Sequence, residues 1–396
     1  MKSVLVVSKI FFPDKGARAI QALRFVKALA STYKVTVLTA SAPSAGELEY
    51  LGVEIISVSE RCFKNKLVNK YITKSSEHLF PFLGFIWSRN AVMALNDQHF
   101  DIVLSLSSPV DSHLVASTIK RKFKNAVKWG AFYSDPWPYS ILPSSYRRKY
   151  PIFSYLQEIL ARSLLFSCDF LLYTNNNVSN YVSNALKVDV KSKSYVVPHL
   201  ISNDKLDVKL EDSALRIVHA GHLTKERISS RFFKGFKLFL QTDAGRGFKL
   251  VFIGKTDASI AEKVDDNALH DNVLFLGLRD QDYVVDYLRK SFASIIFEGD
   301  LPENPFIPSK LADASSVLKP VVALTNAGSS IFKEFPSGGF VKILLHSDTP
   351  EIISDKLVRF TDKFKVAEAN YSEYFQFYDN NRLLSVLDGI IKEKCL

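Results

Sequence analysis

Residues 305–329, PFIPSKLADASSVLKPVVALTNAGS, carry the strongest structural signal in this chain. A Pro-Ser pair at 308–309 ends an irregular loop and offers a serine as a helix N-cap. Small and apolar residues then recur at helical spacing until the Lys-Pro pair at 319–320 ends the helix. The sequence therefore predicts a helix, a short buried parallel strand at Val321–Leu324 and a turn at Asn326–Ser329.

The predicted start of this helix has the chemistry of an anion site. Ser309 and Lys310 lie where the first N–H groups of a helix have no partner within the helix, which suits a diphosphate. Asp313 lies one turn further on, on the face of Lys310, where its carboxylate can accept hydrogen bonds from ribose hydroxyls. These residues favour a nucleoside diphosphate. The alternative is a capped surface helix with an ion pair between Lys310 and Asp313.

The same stretch resembles a segment of the GT-B glycosyltransferases of the family 4 type. In that segment a Pro-Ser-Lys sequence is followed by an acidic residue that holds the ribose of the donor nucleotide. Asp313 occupies the acidic position, and a Lys-Pro pair follows as in the family. Many members carry a second glutamate eight residues upstream, where this chain has Pro305. Glu298 and Glu303 are left as substitutes for that glutamate.

The first loop of the chain also matches this family. An apolar strand at Val4–Val7 leads into FFPDKGARA, which resembles the family's loop with Gly16 in the matching place. A glycine there lets the backbone approach a ligand at the carboxyl end of the strand. A dehydrogenase-type site would need G-x-G-x-x-G, whereas DKGARA holds one glycine.

A second motif of the first half is Asp135-Pro136-Trp137, which follows a predicted strand. It resembles the family's A-D-F-R-D-P-W signature, with Ser134 where arginine is usual. The resemblance implies that Asp135 faces the cleft between two domains, near the acceptor or the reacting sugar. The structural alternative is that Asp135 caps the turn through its own side chain.

In the second half, Gly221 and Arg227 have the family's spacing between a glycine and a basic residue that meets the donor diphosphate. Arginine suits this role because its planar fork binds two oxygens at once. Lys225 and Arg231 are alternatives for the same role, and a solvated charged turn is the structural alternative. The predicted catalytic residues are Asp135, Arg227 and Lys310. The predicted nucleotide-binding residues are Gly16, Gly221, Arg227, Gly254, Ser309, Lys310 and Asp313.

Composition bounds the class of protein. The chain has 396 residues, of which 47% are hydrophobic, so it is long enough for two packed domains. Its three cysteines are widely spaced, which predicts neither a disulfide framework nor a zinc motif and fits a reducing cytoplasm. The apolar N-terminus continues into a strand pattern, and we expect no signal peptide and no transmembrane segment.

Charge is unequally distributed along the chain. Residues 1–198 carry 25 Lys and Arg against 13 Asp and Glu, net +12, whereas residues 199–396 carry 26 against 28, net −2. The first half is therefore expected to face a polyanion. Residues 60–90 suit an anionic membrane surface because lysines alternate with large aromatic residues. These are Lys64, Lys66, Lys70 and Lys74 with Phe63, Tyr71, Phe82, Phe85 and Trp87. An ordinary helix pair with a solvated lysine face is the alternative.

Together these patterns predict an α/β chain of GT-B architecture, with two doubly wound Rossmann-like domains facing across a cleft. We expect an acceptor-binding and membrane-facing domain at 1–202 and a donor domain at 203–370. Residues 371–396 are expected to form a helical tail that packs back on the first domain.

The resemblance implies a retaining transfer of a sugar from a nucleoside diphosphate sugar, with no metal and no cofactor besides the donor. The expected acceptor is a lipid-linked or lipopolysaccharide glycan, reached from the cytoplasm by an enzyme held peripherally on the inner face of the membrane. The alternatives are an epimerase or phosphorylase of the same fold and a non-catalytic partner subunit, since one acidic residue of the family is absent. Nucleic-acid binding through the basic half lacks a recognition motif and is not expected.

Overall fold

A computed structural model describes most of the chain and divides it into two units. Unit 1 comprises Met1–Leu200 with Asn380–Leu396, and unit 2 comprises Ile201–Asp379. The domain boundary expected at 202–203 lies outside the described residues, as does most of the linker to the tail. The described residues are 2–14, 16–41, 48, 51–59, 65–96, 98–143, 150–201, 214–335, 339–366, 378 and 380–392.

Unit 1 is built on a parallel sheet of seven strands in the order β3-β2-β1-β4-β5-β6-β7. β1 lies at the centre, where Val4 pairs with Val35 on one side and Ile102 on the other. Its continuous apolar run is what a strand covered on both faces requires. The strands are β1 (Ser3–Val7), β2 (Lys34–Thr39), β3 (Glu54–Ser57), β4 (Ile102–Leu106), β5 (Lys128–Tyr133), β6 (Phe170–Tyr173) and β7 (Ser194–Val196).

Among the described residues, six helices connect these strands and cover both faces of the sheet. Helices α2 and α3 pack as neighbours, which is the helix pair considered as the alternative for residues 60–90. Asn65 caps the N-terminus of α2, since its side chain accepts hydrogen bonds from two backbone N–H groups. The helices are α1 (Ala17–Ala30), α2 (Lys66–His78), α3 (Phe82–Ala94), α4 (Asp111–Phe123), α5 (Pro151–Ser167) and α6 (Asn176–Leu186).

The prediction that Trp87 belongs to an interfacial surface is wrong. Its side chain is 1% exposed and lies in the core between α3 and the sheet, and its indole N–H donates to the carbonyl of Val58 at 2.8 Å. A large aromatic side chain at helical spacing packs inward here because α3 needs a buried stripe. Phe63 and Lys64 lie outside the described residues, and so does the side chain of Lys66.

Unit 2 repeats the architecture with a parallel sheet of six strands in the order β10-β9-β8-β11-β12-β13. Its strands are β8 (Ala214–Ala220), β9 (Lys249–Ile253), β10 (Val273–Gly277), β11 (Ser291–Phe297), β12 (Val321–Thr325) and β13 (Val341–Leu345). Its helices are α7 (Ser230–Leu240), α8 (Ala258–Asp266), α9 (Gln281–Arg289), α10 (Lys310–Ser316), α11 (Ser330–Glu334) and α12 (Pro350–Val366).

The chain returns to unit 1 at its end. Helix α13 (Asn381–Lys392) contributes Leu383, Leu387 and two isoleucines to the core cluster that also contains β1 and α1. The hydroxyl of Tyr33 donates to the carboxylate of Asp388 and joins α13 to the start of β2. Within the described residues, no helix is both long and apolar enough to span a bilayer.

The stretch at 305–329 forms α10, β12 and the following turn, as predicted. The helix is shorter than expected, because Leu318 adopts a left-handed conformation (φ 53°) and the N–H of Lys319 bonds to the carbonyl of Ala314. The expectation that Ser309 caps the helix through its side chain is wrong for the described contacts. Ser309 already has helical angles (φ −59°, ψ −20°), whereas a capping residue is extended.

Candidate nucleotide-binding site

The predicted donor residues of unit 2 meet at the carboxyl edge of its sheet. The strand order reverses between β8 and β11, so the loops after these strands diverge and leave a crevice, where open α/β sheets bind ligands. Gly221 follows β8, Gly254 follows β9 and Glu298 follows β11. Lys310, the first residue of α10, reaches the same edge and lies against Gly221.

Two glycines are required by this geometry. Gly221 (φ 118°) and Gly254 (φ 130°) have backbone angles that residues with a Cβ atom rarely adopt. A Cβ on Gly221 would lie 2.7 Å from Cε of Lys310, and one on Gly254 would lie 2.5 Å from the carbonyl oxygen of Gly221. The two glycines therefore make room for the Lys310 side chain and for each other.

Lys310 is held by a buried histidine that the sequence analysis did not identify. Nζ of Lys310 lies 3.1 Å from Nε2 of His219, a fully buried residue of β8. Nδ1 of His219 lies 3.0 Å from the carbonyl oxygen of Ile295. Since a carbonyl only accepts, Nδ1 carries the proton and Nε2 accepts from the lysine. Burial, followed by the charge of Lys310, holds the pKa of His219 well below its usual value.

The amine of Lys310 sits in a strongly perturbed environment. Burial, followed by the positive charge of Arg227, lowers its pKa from 10.5 to about 7, and Asp313 acts in the opposite direction. The positive charge of Arg227 therefore acts on the amine of Lys310 at this edge. Two cations with one opposing carboxylate form a site that a ligand with more than one negative charge would stabilise.

Arg227 is placed by a single 3-10 turn, Lys225–Arg227, that follows β8. Its positive charge acts on Lys310, His219 and Glu298, which associates Arg227 with the site. The alternatives are placed differently. Lys225 is exposed, and Arg231 donates to the backbone carbonyl of His346 at 2.8 Å.

Glu298 and Glu303, the substitutes considered for the missing upstream glutamate, have different environments. Glu303 is exposed, whereas Glu298 is buried. Oε1 of Glu298 accepts from the amide of Asn304 at 2.9 Å, and Oε2 accepts from the hydroxyl of Thr325. Burial raises the pKa of Glu298 to about 7, although the hydrogen bond from Thr325 opposes the rise. Glu298 thus fastens the 298–304 loop to the end of β12.

A polar cleft of about 560 Å³ adjoins this loop in unit 2. His346 connects the two, since its Nε2 lies 3.1 Å from the backbone carbonyl of Glu298. Both basic and acidic side chains line the cleft, which suits a hydroxylated ligand. The lining residues are Ser229, Ser230, Arg231, Lys234, Asp300, His346 and Pro350.

The two predicted residues of unit 1 lie in loops at the carboxyl edge of its own sheet. Gly16 precedes α1, and its N–H donates to the carboxylate of Asp14 at 2.7 Å. Asp135 follows β5 and is exposed, whereas the neighbouring Pro136 and Trp137 are buried. Its carboxylate accepts a hydrogen bond from the hydroxyl of Ser134 at 3.3 Å. The buried neighbours hold Asp135 outward, where a ligand can reach it.

Three residues of the unit 2 site escaped the sequence analysis: His219, Thr325 and His346. A histidine inside the apolar run RIVHAG is a polar residue in a buried strand, and it therefore signals a required partner. Thr325 is the last residue of β12, and His346 directly follows β13. Their positions at strand ends were visible, but their partners were not.

No family model matches the chain, and no curated protein matches its sequence. Among solved structures, a glycosyltransferase from Rickettsia africae has 14% identity and a TM-score of 0.60, with 99% of this chain and 98% of that chain covered. HepE from Anabaena in complex with UDP has 12% identity and a TM-score of 0.63, with 98% and 100% covered. WaaG, a glycosyltransferase involved in lipopolysaccharide biosynthesis, has 13% identity and a TM-score of 0.57, with 98% of each chain covered. Two parallel sheets with these strand orders and these structural neighbours establish that the chain has the fold of the GT-B glycosyltransferases.

Proposed function

We propose that this protein is a glycosyltransferase that moves a sugar from a nucleoside diphosphate sugar to a glycan acceptor. The observation that carries the proposal is the pair of cationic side chains Lys310 and Arg227, called here the cation seat. Lys310 bonds to the neutral His219 at the crevice of the unit 2 sheet. Such a seat favours a diphosphate because the ligand supplies the negative charge that the site lacks. The UDP bound by HepE supports uridine nucleotides as the first donors to test.

In the proposed reaction, the bond between the anomeric carbon and the phosphate oxygen breaks, and its electron pair passes to the diphosphate. Lys310 and Arg227 neutralise this developing charge, which lowers the barrier most when the donors are in place before the reaction. The acceptor oxygen forms the new bond to the anomeric carbon, and its proton passes to the released diphosphate. Asp313 accepts hydrogen bonds from the ribose hydroxyls, and the backbone at Gly221, Gly254 and Ser309 allows the diphosphate to approach closely.

The finer features of the proposal are transfer with retention of the anomeric configuration and without a metal ion. Two cationic side chains can stabilise the leaving group directly, which is the support for metal independence. Asp135, exposed at the end of β5, is assigned to the acceptor or the reacting sugar. The acceptor is proposed to be a lipid-linked or lipopolysaccharide glycan at the inner face of a membrane, which is consistent with the +12 charge of residues 1–198.

A panel of nucleoside diphosphate sugars, assayed by nucleotide release with and without EDTA, tests the proposal. We expect one donor to give turnover that EDTA leaves unchanged, and the configuration of the product can then be read by NMR. Saturable nucleotide binding that Lys310→Ala does not weaken would refute the assignment of the seat. An inverted product would overturn retention alone.

A second candidate is a non-catalytic partner subunit of the same fold. Two observations favour it: Pro305 stands where the family has a glutamate, and both carboxylate oxygens of Glu298 are engaged by the chain itself. This candidate predicts nucleotide binding without turnover for every donor and acceptor. Calorimetry together with the release assay separates the two candidates.

A further inference from the structure

Helix α5 has an outward face that is unusual for a surface helix. Ile152, Tyr155, Leu156, Ile159 and Phe166 recur at the three- and four-residue spacing of one helical stripe. All five are exposed, with Ile152 at 75%, Tyr155 at 62% and Phe166 at 88%. The opposite stripe, which includes Ala161 and Leu164, packs into the core. A helix that is apolar on both stripes needs an apolar environment on its outer side as well.

Helix α3 also exposes apolar side chains. Phe82, Ile86 and Met93 follow the same helical spacing and are exposed. The turn between α2 and α3 contacts α5 directly, because the side-chain amide of Gln157 donates to the carbonyl of Leu79 at 2.5 Å. The outward residues of α3 and α5 are called here the apolar surface of unit 1: Phe82, Ile86, Met93, Ile152, Tyr155, Leu156, Ile159 and Phe166.

Basic side chains flank this surface. Helix α2 exposes Lys70 and Lys74 one helical turn apart, next to the exposed Leu67 and Tyr71. Residues 65–96 contain four Lys and Arg residues and one glutamate, a net charge of +3. Arg89 lies within the exposed stripe of α3. Long basic side chains beside exposed aliphatic and aromatic groups match the boundary between anionic headgroups and acyl chains.

We propose that the apolar surface of unit 1 inserts into the interfacial region of a bilayer that contains anionic lipids, while Lys70 and Lys74 contact the phosphates. This inference rests on the proposed function for its purpose, and it names the helices that would meet the lipid. A two-fold contact between copies fits less well, because it would bring the lysines and Arg89 of both copies into one desolvated interface.

The position of α5 connects this surface to the proposed acceptor loop. The hydroxyl of Ser140 donates to Oε1 of Glu158, on α5, at 2.9 Å. The hydroxyl of Tyr181, on α6, donates to the carbonyl of Ile141 in the same loop. The loop that begins at Asp135 is therefore joined to the helix that would lie in the interface, so the proposed acceptor loop and the lipid-facing helix belong to one packed part of unit 1.

Vesicle sedimentation of the full chain tests the surface. Vesicles of phosphatidylcholine alone are compared with vesicles containing about one third phosphatidylglycerol, at low salt and at about 0.5 M salt. We expect binding only to the anionic vesicles at low salt. The triple variant Ile152→Ser, Leu156→Ser, Ile159→Ser should weaken this binding at least about 10-fold, because each loses buried aliphatic area in the interface.

Matched controls separate insertion from general effects. The control for the α5 triple variant removes three exposed aliphatic side chains from unit 2 and should leave vesicle binding unchanged. It carries Leu215→Ser, Leu278→Ser and Ile352→Ser. Lys70→Glu, Lys74→Glu should weaken binding to anionic vesicles at least about 10-fold, whereas Lys237→Glu, Lys249→Glu on exposed positions of unit 2 should not.

Fluorescence gives an independent measure of depth. The three native tryptophans, Trp87, Trp129 and Trp137, are all buried, so a new exposed tryptophan stands out against them. The fluorescence of the new tryptophan in Ile152→Trp should shift to the blue on anionic vesicles and should be quenched by brominated acyl chains. The fluorescence of Leu278→Trp should show neither change.

Three outcomes would overturn the insertion. The first is unchanged vesicle binding by the α5 triple variant, and the second is an introduced tryptophan in Ile152→Trp that stays unquenched on bound protein. The third is a dimer in light scattering that the triple variant dissociates, with no vesicle binding, which assigns the surface to a second copy. Calorimetric nucleotide binding in the absence of lipid reports the donor site of the proposed function separately, since no residue of the apolar surface belongs to that site.

Discussion

The two sheets have the same strand order over six strands, but the charged side chains at their carboxyl edges have different partners. In unit 1, Nζ of Lys9 lies 3.1 Å from the carboxylate of Asp111, so the buried cation has its counter-charge. In unit 2, Lys310 is paired with a neutral imidazole, and Arg227 adds a second positive charge. Among the described residues, the lysine at the first edge has an acidic partner, whereas the two cations at the second edge suit an anionic ligand. One topology therefore supports two kinds of edge, and the loops decide which one forms.

The largest expected effect comes from removing either of the two cations of the unit 2 site. Lys310→Ala and Arg227→Ala should each lower turnover by roughly 10²-fold or more, because each removes a group that stabilises charge on the leaving diphosphate. Initial rates of nucleotide release with a competent acceptor measure the loss. Lys237→Ala, an exposed lysine of α7, is the control and should retain full activity. Normal rates in either variant would show that the substituted cation does not stabilise the leaving diphosphate.

Asp313→Asn should have the next largest effect. The substitution keeps the shape of the side chain but removes the charge that the ribose hydroxyls are proposed to meet, and it should weaken nucleotide binding by about 1 to 3 kcal/mol. Isothermal titration with several nucleoside diphosphates measures this change. Asp266→Asn, at an exposed position of α8, is the matched control. Affinity that stays the same for every nucleotide would show that Asp313 has only a structural role.

The two edges also differ in how far sequence could predict them. The start of α10, the glycines at the strand ends and Arg227 were predicted because each is a local signal, a residue type at a fixed position in the chain. The contact between Lys310 and His219 was not predicted, because His219 lies 91 residues away in sequence and the fold alone brings the two side chains together. Trp87 was assigned to the surface because spacing alone does not say which face of a helix is covered.

The pH dependence of nucleotide binding should show the cation seat directly. Burial and Arg227 hold the pKa of Lys310 near 7 in the free protein, and a bound diphosphate should raise it by favouring the ammonium form. Above about pH 7, binding should therefore take up as much as about one proton, and affinity should fall by up to about tenfold per pH unit.

Calorimetry in buffers of different ionisation enthalpy measures the proton uptake. Lys310→Met should abolish it. Lys319→Met is a matched control, since burial also lowers the pKa of Lys319, to about 8, but this lysine lies at the other end of α10 from the site. Proton uptake that persists in Lys310→Met and disappears in Lys319→Met would show that Lys319, and not Lys310, takes up the proton. That result would contradict the assignment of Lys310 to the diphosphate.

The smallest expected effect is on stability and concerns Glu298. Burial raises its pKa from 4.5 to about 7, so the folded protein keeps this proton over a pH range in which the unfolded chain has lost it. The stability that the protonated carboxyl contributes is complete below about pH 4.5 and is lost as the pH rises through about 7, by about 1 kcal/mol between pH 6 and pH 7. Glu298→Gln should remove this part of the pH dependence, because the amide keeps the same shape and does not titrate.

Urea unfolding at pH 6 and pH 7 measures the effect of Glu298, with the exposed Glu303→Gln as the control that keeps the wild-type slope. Lys310 acts with the opposite sign, since its lowered pKa makes the folded state gain stability as the pH rises above about 7. Because the pKa of Lys310 also lies near 7, the difference between the wild type and Glu298→Gln, and not the pH interval alone, separates the carboxyl from the amine. A Glu298→Gln variant that still loses about 1 kcal/mol over this interval would mean that another group, and not the carboxyl of Glu298, titrates there.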